Sequence, residues 1–400
     1  FIEALKEMRE FNVNRVKAQI TRRIADRWVG FTLSRILWRV FGRNDLSAGR
    51  VQTPVLGWVI ERHMEYKKKV DKVVLNFGTN EISFLVENKP VAYEMASNPS
   101  KIRVMWGKEW EEEKNPPPPY TTDTILQDSR LPADKTMDIL QELFERGFIT
   151  YHRTDSTRVS DFGKFSVAKP IIAKDFGEEM FYPRSWGSEG AHECIRPTRP
   201  IKPNELRLMI SLGSVEFNDP KNALRIYTLI FNRFIASQMR SAKVKVAEVI
   251  VLFDAFAHIE EVVREILQDG YNLVLPNIRV WEGELEVKDV RFLKVPKVQP
   301  YTQGTLIQEM KRRGLGRPST YAQIVKTLLE RGYVVEKNGY LFPTKLGIKV
   351  YKFLGGKFGN FVSEEFTKKL EEDMDLIEDG KRDFVETLRE IYGIRRFLQP

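Results

Sequence analysis

An internal repeat constrains the fold of this chain more than any other feature. The segment YTTDTILQDS at 120–129 resembles YTQGTLIQEM at 301–310, 181 residues later. The segment LFERGFIT at 143–150 resembles LLERGYVV at 328–335, 185 residues later, so the second copy contains four more residues. Each copy has the pattern of two amphipathic helices followed by two short strands, which predicts two winged-helix units. The alternative is a coincidence between two pairs of amphipathic helices.

Helix-like and strand-like stretches alternate along the 400 residues in a nearly symmetrical order. Apolar residues recur every three or four positions in some stretches, and β-branched residues alternate in others, including NIRVWEGELEV at 277–287. This order predicts a multidomain α+β protein with nested domains, in which the chain leaves one domain, forms another and then returns to the first. The predicted segments are 1–66 (helical, opening with FIEALKEMREF), 67–116 (strand-rich), 117–237 (mainly helical), 238–299 (strand-rich) and 300–400 (mainly helical).

Charge and cysteine content narrow the class of protein. The chain has 64 basic and 55 acidic residues, a formal charge of +9 and a pI near 9.3, which favours a polyanionic partner only moderately because the signs are interspersed. The single cysteine, Cys194, excludes a disulfide framework and a cysteine-based zinc site, and the four histidines lie far apart. Composition therefore predicts no metal site in this chain.

The ends and the hydropathy of the chain predict its compartment. No run of 18 apolar residues and no signal peptide is present, so we expect a cytoplasmic protein that does not contact a membrane. The first residue is Phe1 rather than methionine. We therefore expect a fragment excised from a longer protein.

The stretch GFITYHRTDSTRVSD at 147–161 is the first candidate for chemistry. Alternation along a strand that begins at Tyr151 would put Tyr151, Arg153 and Asp155 on one face. Tyrosine is a poor nucleophile at neutral pH because its pKa is about 10, but a neighbouring cation favours the phenolate and neutralises charge on a phosphoryl oxygen. Arg153 suits both roles, and Asp155 could orient Arg153 or transfer a proton. The alternative is a polar strand edge with a surface Arg–Asp pair.

Four further segments combine arginine with hydroxyl, amide or imidazole groups that suit a phosphate. They are GSEGAHECIRPTRP with His192 and Arg196, RRGLGRPSTYAQI with Arg317, Ser319 and Thr320, SAGRVQTP with Ser47, Arg50 and Gln52, and AQITRRIADR with Arg22, Arg23 and Asp26. His192 could donate to a phosphate oxygen or to a leaving hydroxyl. Ser319 or Thr320 could cap the next helix, and a helix start is an anion site. Taken singly, each segment could be a solvated face or an ordinary capped helix.

Together, these segments resemble the core of the type IA DNA topoisomerases. ITYHRTDS is similar to the family's active-site motif ITYxRTDS, and EGAHECIRPT to its EAHEAIRPT segment. GLGRPSTYAQIV and LSAGRVQTP resemble its GIGRPSTYAxII and LSAGRVQSP segments. All four occur in the family's order. The histidine after Tyr151, the PPPPYTTDT run and the cysteine in AHECIRPT are more similar to the reverse gyrases, the topoisomerases of thermophiles that carry a helicase-like half.

The resemblance implies a role for each candidate residue. Tyr151 would attack a phosphodiester and form a 5′-phosphotyrosine, Arg153 would stabilise the transition state with Asp155 beside it, and His192 would hydrogen-bond the scissile phosphate or a neighbour. The DNA-binding residues would be Arg196, then Arg317, Ser319 and Thr320 near the break, and Arg22, Arg23, Asp26, Ser47, Arg50 and Gln52 along the groove for single-stranded DNA.

The resemblance also implies an architecture and an activity. The fold would be a toroidal type IA core with two winged-helix (CAP-like) units, in which 67–116 and 238–299 form a β-rich hinged arch. DNA strands would be cleaved, passed and religated, with positive supercoiling when the chain is joined to a helicase-like half. The alternatives are a catalytically silent single-stranded DNA clamp and a tyrosine recombinase or type IB enzyme, whose usual order of Arg, His-x-x-Arg and Tyr is not met.

One departure from the family concerns metal and nucleotide. The family places its Mg²⁺ ligands in a preceding toprim domain. We expect this domain and the helicase-like half in upstream segments of the same polypeptide. ATP would bind only the helicase-like half. The DxD of this chain, Asp373 and Asp375, lies in a predicted helix, where residues two apart diverge, so we interpret it as a solvated acidic face. No GxxxxGK[ST] loop is present. We expect a monomer without metal ligands of its own.

Overall fold

The computed structural model describes residues 12–187 and 192–395, so the helix predicted over 1–11 lies outside the described residues. The α-helices are α1 (Val13–Phe41), α2 (Gln52–Lys67), α3 (Lys89–Ser97), α4 (Thr122–Asp128), α5 (Ala133–Glu145), α6 (Lys169–Phe176), α7 (Pro203–Ser211), α8 (Pro220–Ser237), α9 (Gln303–Arg312), α10 (Tyr321–Glu330), α11 (Lys345–Val362), α12 (Glu364–Glu378) and α13 (Phe384–Arg395). The strands are β1 (Lys69–Asn76), β2 (Glu81–Val86), β3 (Arg103–Lys114), β4 (Ala242–Phe253), β5 (Phe256–Gln268), β6 (Asp289–Pro296), β7 (Val334–Lys337) and β8 (Tyr340–Pro343). The predicted mixture of helix and sheet is confirmed.

The chain divides into two compact units. The discontinuous unit contains the chain up to His63 and the chain from Pro300 onward, and the inserted unit is Met64–Gln299. The inserted unit therefore interrupts the discontinuous one. The five segments predicted from the sequence divide the chain more finely, and their boundaries stay a prediction.

Matched residues of the internal repeat build the same helix ends in both copies. At the start of α4 the Thr121 amide donates to Thr124 Oγ1 at 2.9 Å, and at the start of α9 the Thr302 amide donates to Thr305 Oγ1 at 2.8 Å. Each cap satisfies a backbone donor that has no partner within its helix. The threonines of the repeat are thus explained by capping.

The shared Glu-Arg-Gly sequence ends the second helix of each copy in the same way. Gly147 follows α5 and Gly332 follows α10, and both have a positive φ, of 71° and 65°. The next amide then reaches back to the helix, from Phe148 to the Leu143 carbonyl at 2.9 Å and from Tyr333 to the Leu328 carbonyl at 3.0 Å. Only glycine adopts this left-handed backbone without strain, which explains its place in the repeat.

After these helices the two copies differ. In the second copy β7 and β8 form an antiparallel hairpin, as the sequence predicts. In the first copy the strand predicted to begin at Tyr151 is absent, and isolated bridges join Ile149 to Pro197 and Tyr120 to Ile195 instead. The first copy cannot make a hairpin ladder because its extended segment is bound by side chains and by a distant loop, described below.

Two three-stranded antiparallel sheets in the inserted unit combine both strand-rich segments. Their orders are β2-β1-β6 and β3-β4-β5, so the early strands β1 and β3 pair with the later strands β6 and β4. Apolar side chains of both sheets, such as Val73, Phe84 and Val251, pack in one core. One prediction here is wrong: residues 277–287 form no strand beyond a single bridge at Val280. The segment KPVAYEMAS, for which no strand was predicted, forms α3.

A helical core in the inserted unit supports the candidate site. It is built around α5 and α8, with Leu140, Tyr227 and Phe234 fully buried, and it extends to Phe148 and Ile149 just after α5. Burying one such large side chain contributes about 1.5–3 kcal/mol. The residues that lead into Tyr151 are therefore fixed in a packed core.

The acidic segment near the C-terminus is only partly the solvated face predicted from the sequence. It forms α12, as predicted, and Asp375 is exposed. Asp373, however, is buried and pairs with Arg382 at 2.8 Å, and Glu371 is also buried. Burial raises the pKa of Asp373, which the Arg382 guanidinium opposes. The prediction failed because it did not include the arginines packed against this face.

At the start of α11, Gly347 packs closely against the backbone of Tyr333, and a substitution can test this contact. A Cβ at Gly347 would lie 2.2 Å from the Tyr333 carbonyl oxygen, and a backbone atom cannot turn away. We expect Gly347→Ala to destabilise the chain by about 1–3 kcal/mol in guanidinium unfolding, as overpacking does. Gly356→Ala in the same helix, where a Cβ meets no atom within 4 Å, should instead stabilise by about 0.5–1 kcal/mol. Equal effects of the two changes would contradict the packing.

Candidate active site

Threonine hydroxyls and a distant loop hold the segment that contains Tyr151. Before Tyr151, Thr150 donates its amide to the Arg196 carbonyl at 2.9 Å and its hydroxyl to the Cys194 carbonyl at 2.6 Å. After it, the Thr122 hydroxyl in the first turn of α4 lies 2.7 Å from the His152 carbonyl, and the Thr154 amide donates to that hydroxyl at 2.9 Å. The backbone is thus fixed on both sides of Tyr151.

Side chains along this segment alternate between solvent and interior, although no ladder forms. Tyr151, Arg153 and Asp155 are exposed, and His152 and Thr154 are buried. The alternation predicted from the sequence is therefore present in the exposure of the side chains. No ion pair joins Arg153 to Asp155 in the described structure, which argues against the alternative of a surface Arg–Asp pair.

The phenol of Tyr151 faces a cavity of about 370 Å³. The lining residues are Thr150, Tyr151, Thr154, Arg158, His192, Glu193 and Arg196. The Tyr151 side chain is 45% exposed, and its ring packs edge-on against Phe144 at 5.3 Å. Tyr151, His192 and Arg196, which were predicted from two distant segments, therefore lie around one cavity. Arg153 and Asp155 are not part of this lining.

Arg196 is a buried, fully engaged cation in the wall of the cavity. Its Nε and Nη2 lie 2.7 and 2.6 Å from Glu193 Oε2, and its other contacts are the Pro197 carbonyl and the Ser160 hydroxyl. A guanidinium buried in this way needs a carboxylate partner. In this structure Arg196 thus holds the loop in place, and its contact with DNA stays a prediction.

Arg158 is the site residue that the sequence analysis missed. Its Nε donates to the His192 carbonyl at 3.4 Å, and its Nη2 lies 3.9 Å from Glu193 Oε1, so both side-chain contacts are long. The Cys194 amide donates to its carbonyl at 2.9 Å, which fixes its backbone beside the cavity. The signal was a second arginine in the same stretch as Tyr151. The strand alternation predicted from Tyr151 puts Arg158, seven residues on, on the opposite face, and this concealed their proximity.

His152 is buried directly behind Tyr151. Both of its ring nitrogens have no hydrogen-bond partner within the described structure, and its ring lies 5.5 Å from that of Tyr151. Burial lowers the pKa of His152 to about 4, and the nearby Arg153 guanidinium acts in the same direction. The imidazole is therefore neutral at neutral pH.

In the discontinuous unit a second set of predicted residues meets around a carboxylate. Arg22 of α1, Arg50 of the loop before α2 and Arg317 of the loop before α10 all contact Glu371 of α12. Asp26 of α1 pairs with Arg22 and Arg50. Arg50 is 2% exposed. Burial lowers the pKa of Arg50, but the Asp26 and Glu371 carboxylates outweigh this and hold that pKa above its usual value. Sequence reasoning did not select Glu371.

Ser47 and Gln52 form a separate contact in the same unit. The Ser47 hydroxyl lies 3.3 Å from Gln52 Oε1 and accepts from Arg331 Nε at 3.1 Å, and the Tyr333 hydroxyl donates to the Ser47 carbonyl at 2.8 Å. The loop predicted to bind DNA is therefore tied to the end of the second repeat copy.

The segment before α10 differs from its prediction in one respect. Thr320 lies at the N-cap position, but its hydroxyl contacts the Arg317 backbone at 2.9 and 3.1 Å and makes no capping bond to α10. Ser319 is exposed, as is Arg23 on α1. Gly314 and Gly316 have positive φ, of 73° and 87°, as expected for a loop that needs glycine.

Within 12–187 and 192–395, no three His, Cys, Asp or Glu side chains come together as a possible metal site. No described helix is both long enough and apolar enough to cross a membrane. The buried Cys194 thiol has a pKa raised to about 12 by burial, which makes it a poor nucleophile.

The neutral state of His152 predicts a pH effect on stability. Its pKa is about 4 in the folded chain and about 6.5 when unfolded, so the unfolded chain binds more protons between these values. Stability is therefore lost as the pH falls through this window, by about 2 kcal/mol from His152 at pH 5. His152→Phe should remove this loss in guanidinium unfolding at pH 7 and pH 5, while His192→Gln, at an exposed histidine, should not. An unchanged pH dependence in His152→Phe would contradict the burial.

Comparisons with known proteins concern the family of this chain, not its individual site residues. A family model described as DNA topoisomerase matches residues 10–389. Reverse gyrase 2 of Aquifex aeolicus is 56% identical over the whole chain, and reverse gyrase of Pyrococcus furiosus is 44% identical over 98% of it. The chain spans only 35% and 33% of these relatives, about a third of their length.

A solved structure gives the same result at the level of the fold. Full-length topoisomerase I from Thermotoga maritima matches 99% of this chain and 70% of its own, with 34% identity and a TM-score of 0.79. The resemblance to the topoisomerase part of reverse gyrases, predicted from the motifs, is confirmed. The chain therefore belongs to the type IA DNA topoisomerase family.

Proposed function

We propose that this chain cleaves and rejoins one DNA strand through a transient 5′-phosphotyrosine at Tyr151. The observation that carries the proposal is the exposed Tyr151 phenol, which opens on a cavity lined by Arg158, His192 and Arg196. Tyr151 makes no hydrogen bond to another described residue, whereas the buried phenols of Tyr120 and Tyr227 donate to Asp128 and to the Ile201 carbonyl.

The proposed chemistry conserves phosphodiester bonds. The Tyr151 oxygen attacks phosphorus and loses its proton, the bond from phosphorus to the 3′ oxygen breaks, and that oxygen takes up a proton. Religation is the reverse attack by the 3′-hydroxyl, so neither step needs ATP. Cations beside the phosphate stabilise the charge that builds on its oxygens. Arg153 takes this role in the motif, and Arg158 is a second candidate because it lines the cavity.

The larger movements follow from the family resemblance. We infer that the strand-rich segments 67–116 and 238–299 act as a hinged arch in a toroidal core, and that the helix pairs of the repeat act as winged-helix units. The cross-pairing of β1 with β6 and of β3 with β4 supports one continuous arch. Single-stranded DNA would bind at Tyr151 and along the arginine cluster around Glu371.

We infer that the parent protein supplies the remaining parts. The described residues hold no set of ligands for Mg²⁺, so we assign Mg²⁺ to a toprim domain and ATP to a helicase-like half elsewhere in the parent. The threefold greater length of the reverse gyrases leaves room for both. Positive supercoiling is the activity proposed for that complete protein.

Covalent trapping tests the nucleophile. Single-stranded DNA labelled at either end is incubated with the parent protein and Mg²⁺, then quenched in denaturant. We expect an adduct on the 5′ end of the downstream fragment, which Tyr151→Phe abolishes while DNA binding persists. Tyr182→Phe, at a tyrosine that is 50% exposed in the same unit, should retain the adduct. A 3′-linked adduct would indicate recombinase chemistry, and binding without any adduct would indicate a silent clamp.

Arginine variants test the cation. Arg153→Lys should slow cleavage by about 100-fold, because a point charge cannot replace the planar guanidinium against a phosphate. Arg199→Lys, at an exposed arginine outside the cavity lining, should leave the rate unchanged. A normal rate in Arg153→Lys together with slow cleavage in Arg158→Lys would move the role to Arg158.

A further inference from the structure

Glu371 is a buried carboxylate at which three arginines converge. It lies on α12 and is 6% exposed. Its Oε1 lies 2.8 Å from Arg50 Nη2 and 3.7 Å from Arg22 Nη2, and its Oε2 lies 3.0 Å from Arg317 Nη2. These arginines come from α1, from the loop before α2 and from the loop before α10. One carboxylate therefore connects three separate parts of the discontinuous unit.

Electrostatics explains why this carboxylate is needed. Burying an unpaired carboxylate or guanidinium costs several kcal/mol, and three guanidiniums at close range repel one another. With Asp26 on the other side of Arg50, the three arginines and two carboxylates leave a net charge of +1. The buried half of the cluster is Glu371 and Arg50, and its more open half is Arg22, Arg317 and Asp26. The residual positive charge is thus presented on the accessible side.

Fixing these arginines before DNA arrives has an energetic consequence. A free arginine side chain carries about 2 kcal/mol of rotamer entropy, which binding would otherwise have to remove. When an internal carboxylate already orients the guanidinium, that cost is met during folding rather than during association. The Glu371 contacts hold Arg22 and Arg317, which are partly exposed, in defined directions.

We propose that Glu371 is a positioning residue for single-stranded DNA binding, acting through Arg22, Arg50 and Arg317. The proposal rests on the proposed function, since it needs DNA to bind this cluster. It assigns a favourable role to a negative charge inside a DNA-binding surface. Charge alone predicts the opposite, because removing an acidic residue should strengthen binding to a polyanion.

The two views predict opposite changes in DNA affinity when the charge of Glu371 is removed, and this difference provides the test. Glu371→Gln and Glu372→Gln remove the same charge from adjacent positions of α12, but Glu372 is exposed. We expect Glu371→Gln to weaken the binding of single-stranded DNA about tenfold, which is about 1.4 kcal/mol. The amide of glutamine can accept from one guanidinium only, and its NH₂ repels another. Glu372→Gln should bind equally well or slightly more tightly.

The salt dependence separates positioning from a loss of folded protein. The slope of log affinity against log salt is about −0.7 for each phosphate neutralised on a single strand. Disordered arginines should make this slope shallower in Glu371→Gln, with the fraction of protein able to bind unchanged. In the parent protein, cleavage at saturating DNA should proceed at the normal rate, so the defect lies in apparent KM rather than in kcat.

A second pair of variants covers failure to fold. If Glu371→Gln does not fold, Glu371→Asp keeps the charge but withdraws the carboxylate by one methylene, and it should weaken binding about threefold, against no change in Glu372→Asp. Equal affinities within either pair would overturn the proposal. If the unmodified chain binds no single-stranded DNA and the parent forms no adduct at Tyr151, the proposed function fails. If both occur normally and the pairs do not differ, only the role of Glu371 fails.

Discussion

The arrangement around Tyr151 depends on two threonine hydroxyls that replace a β-ladder. Thr150 ties the segment to the Cys194 and Arg196 carbonyls, and Thr122 ties it to the first turn of α4. A regular strand would pair its amides with a neighbouring strand and would place Tyr151 in a sheet. Side-chain bonds instead allow the backbone to bend at 152 and 153 and leave the phenol exposed. The core can therefore stay packed while the Tyr151 phenol stays exposed.

The same arrangement of a carboxylate with arginines occurs in both units. A carboxylate largely withdrawn from solvent holds arginines in place. Glu193 holds Arg196 of its own loop and approaches Arg158 of another segment, and Glu371 holds Arg50 and Arg317 from other parts of the chain. Buried guanidinium groups are stable only with such partners. In a surface proposed to bind a polyanion, the acidic residues therefore determine where the basic ones point. Net charge alone does not describe this property.

The sequence predicted local structure best where local contacts decide it. The repeat gave the helix pairs because Thr121, Thr302, Gly147 and Gly332 cap helices through bonds within a few residues. The prediction from sequence was wrong at 277–287, where the alternating pattern resembles that of a strand. There, pairing with β5 is limited to one bridge at Val280, because strand formation requires a partner that the local sequence does not specify.

By itself, the sequence determined the family, the candidate nucleophile and the helix pairs of the repeat, because motifs and caps are short and read directly from residue order. The tertiary structure alone decided that Arg158 joins Tyr151 in one cavity while Arg153 lies outside its lining. It also decided that Asp373 and Glu371 are buried partners of arginines rather than a solvated face. The physical reason is that burial and charge pairing depend on how separate elements pack, and the local pattern of either partner does not reveal the other. Arg50 and Glu371, 321 positions apart, are the extreme case.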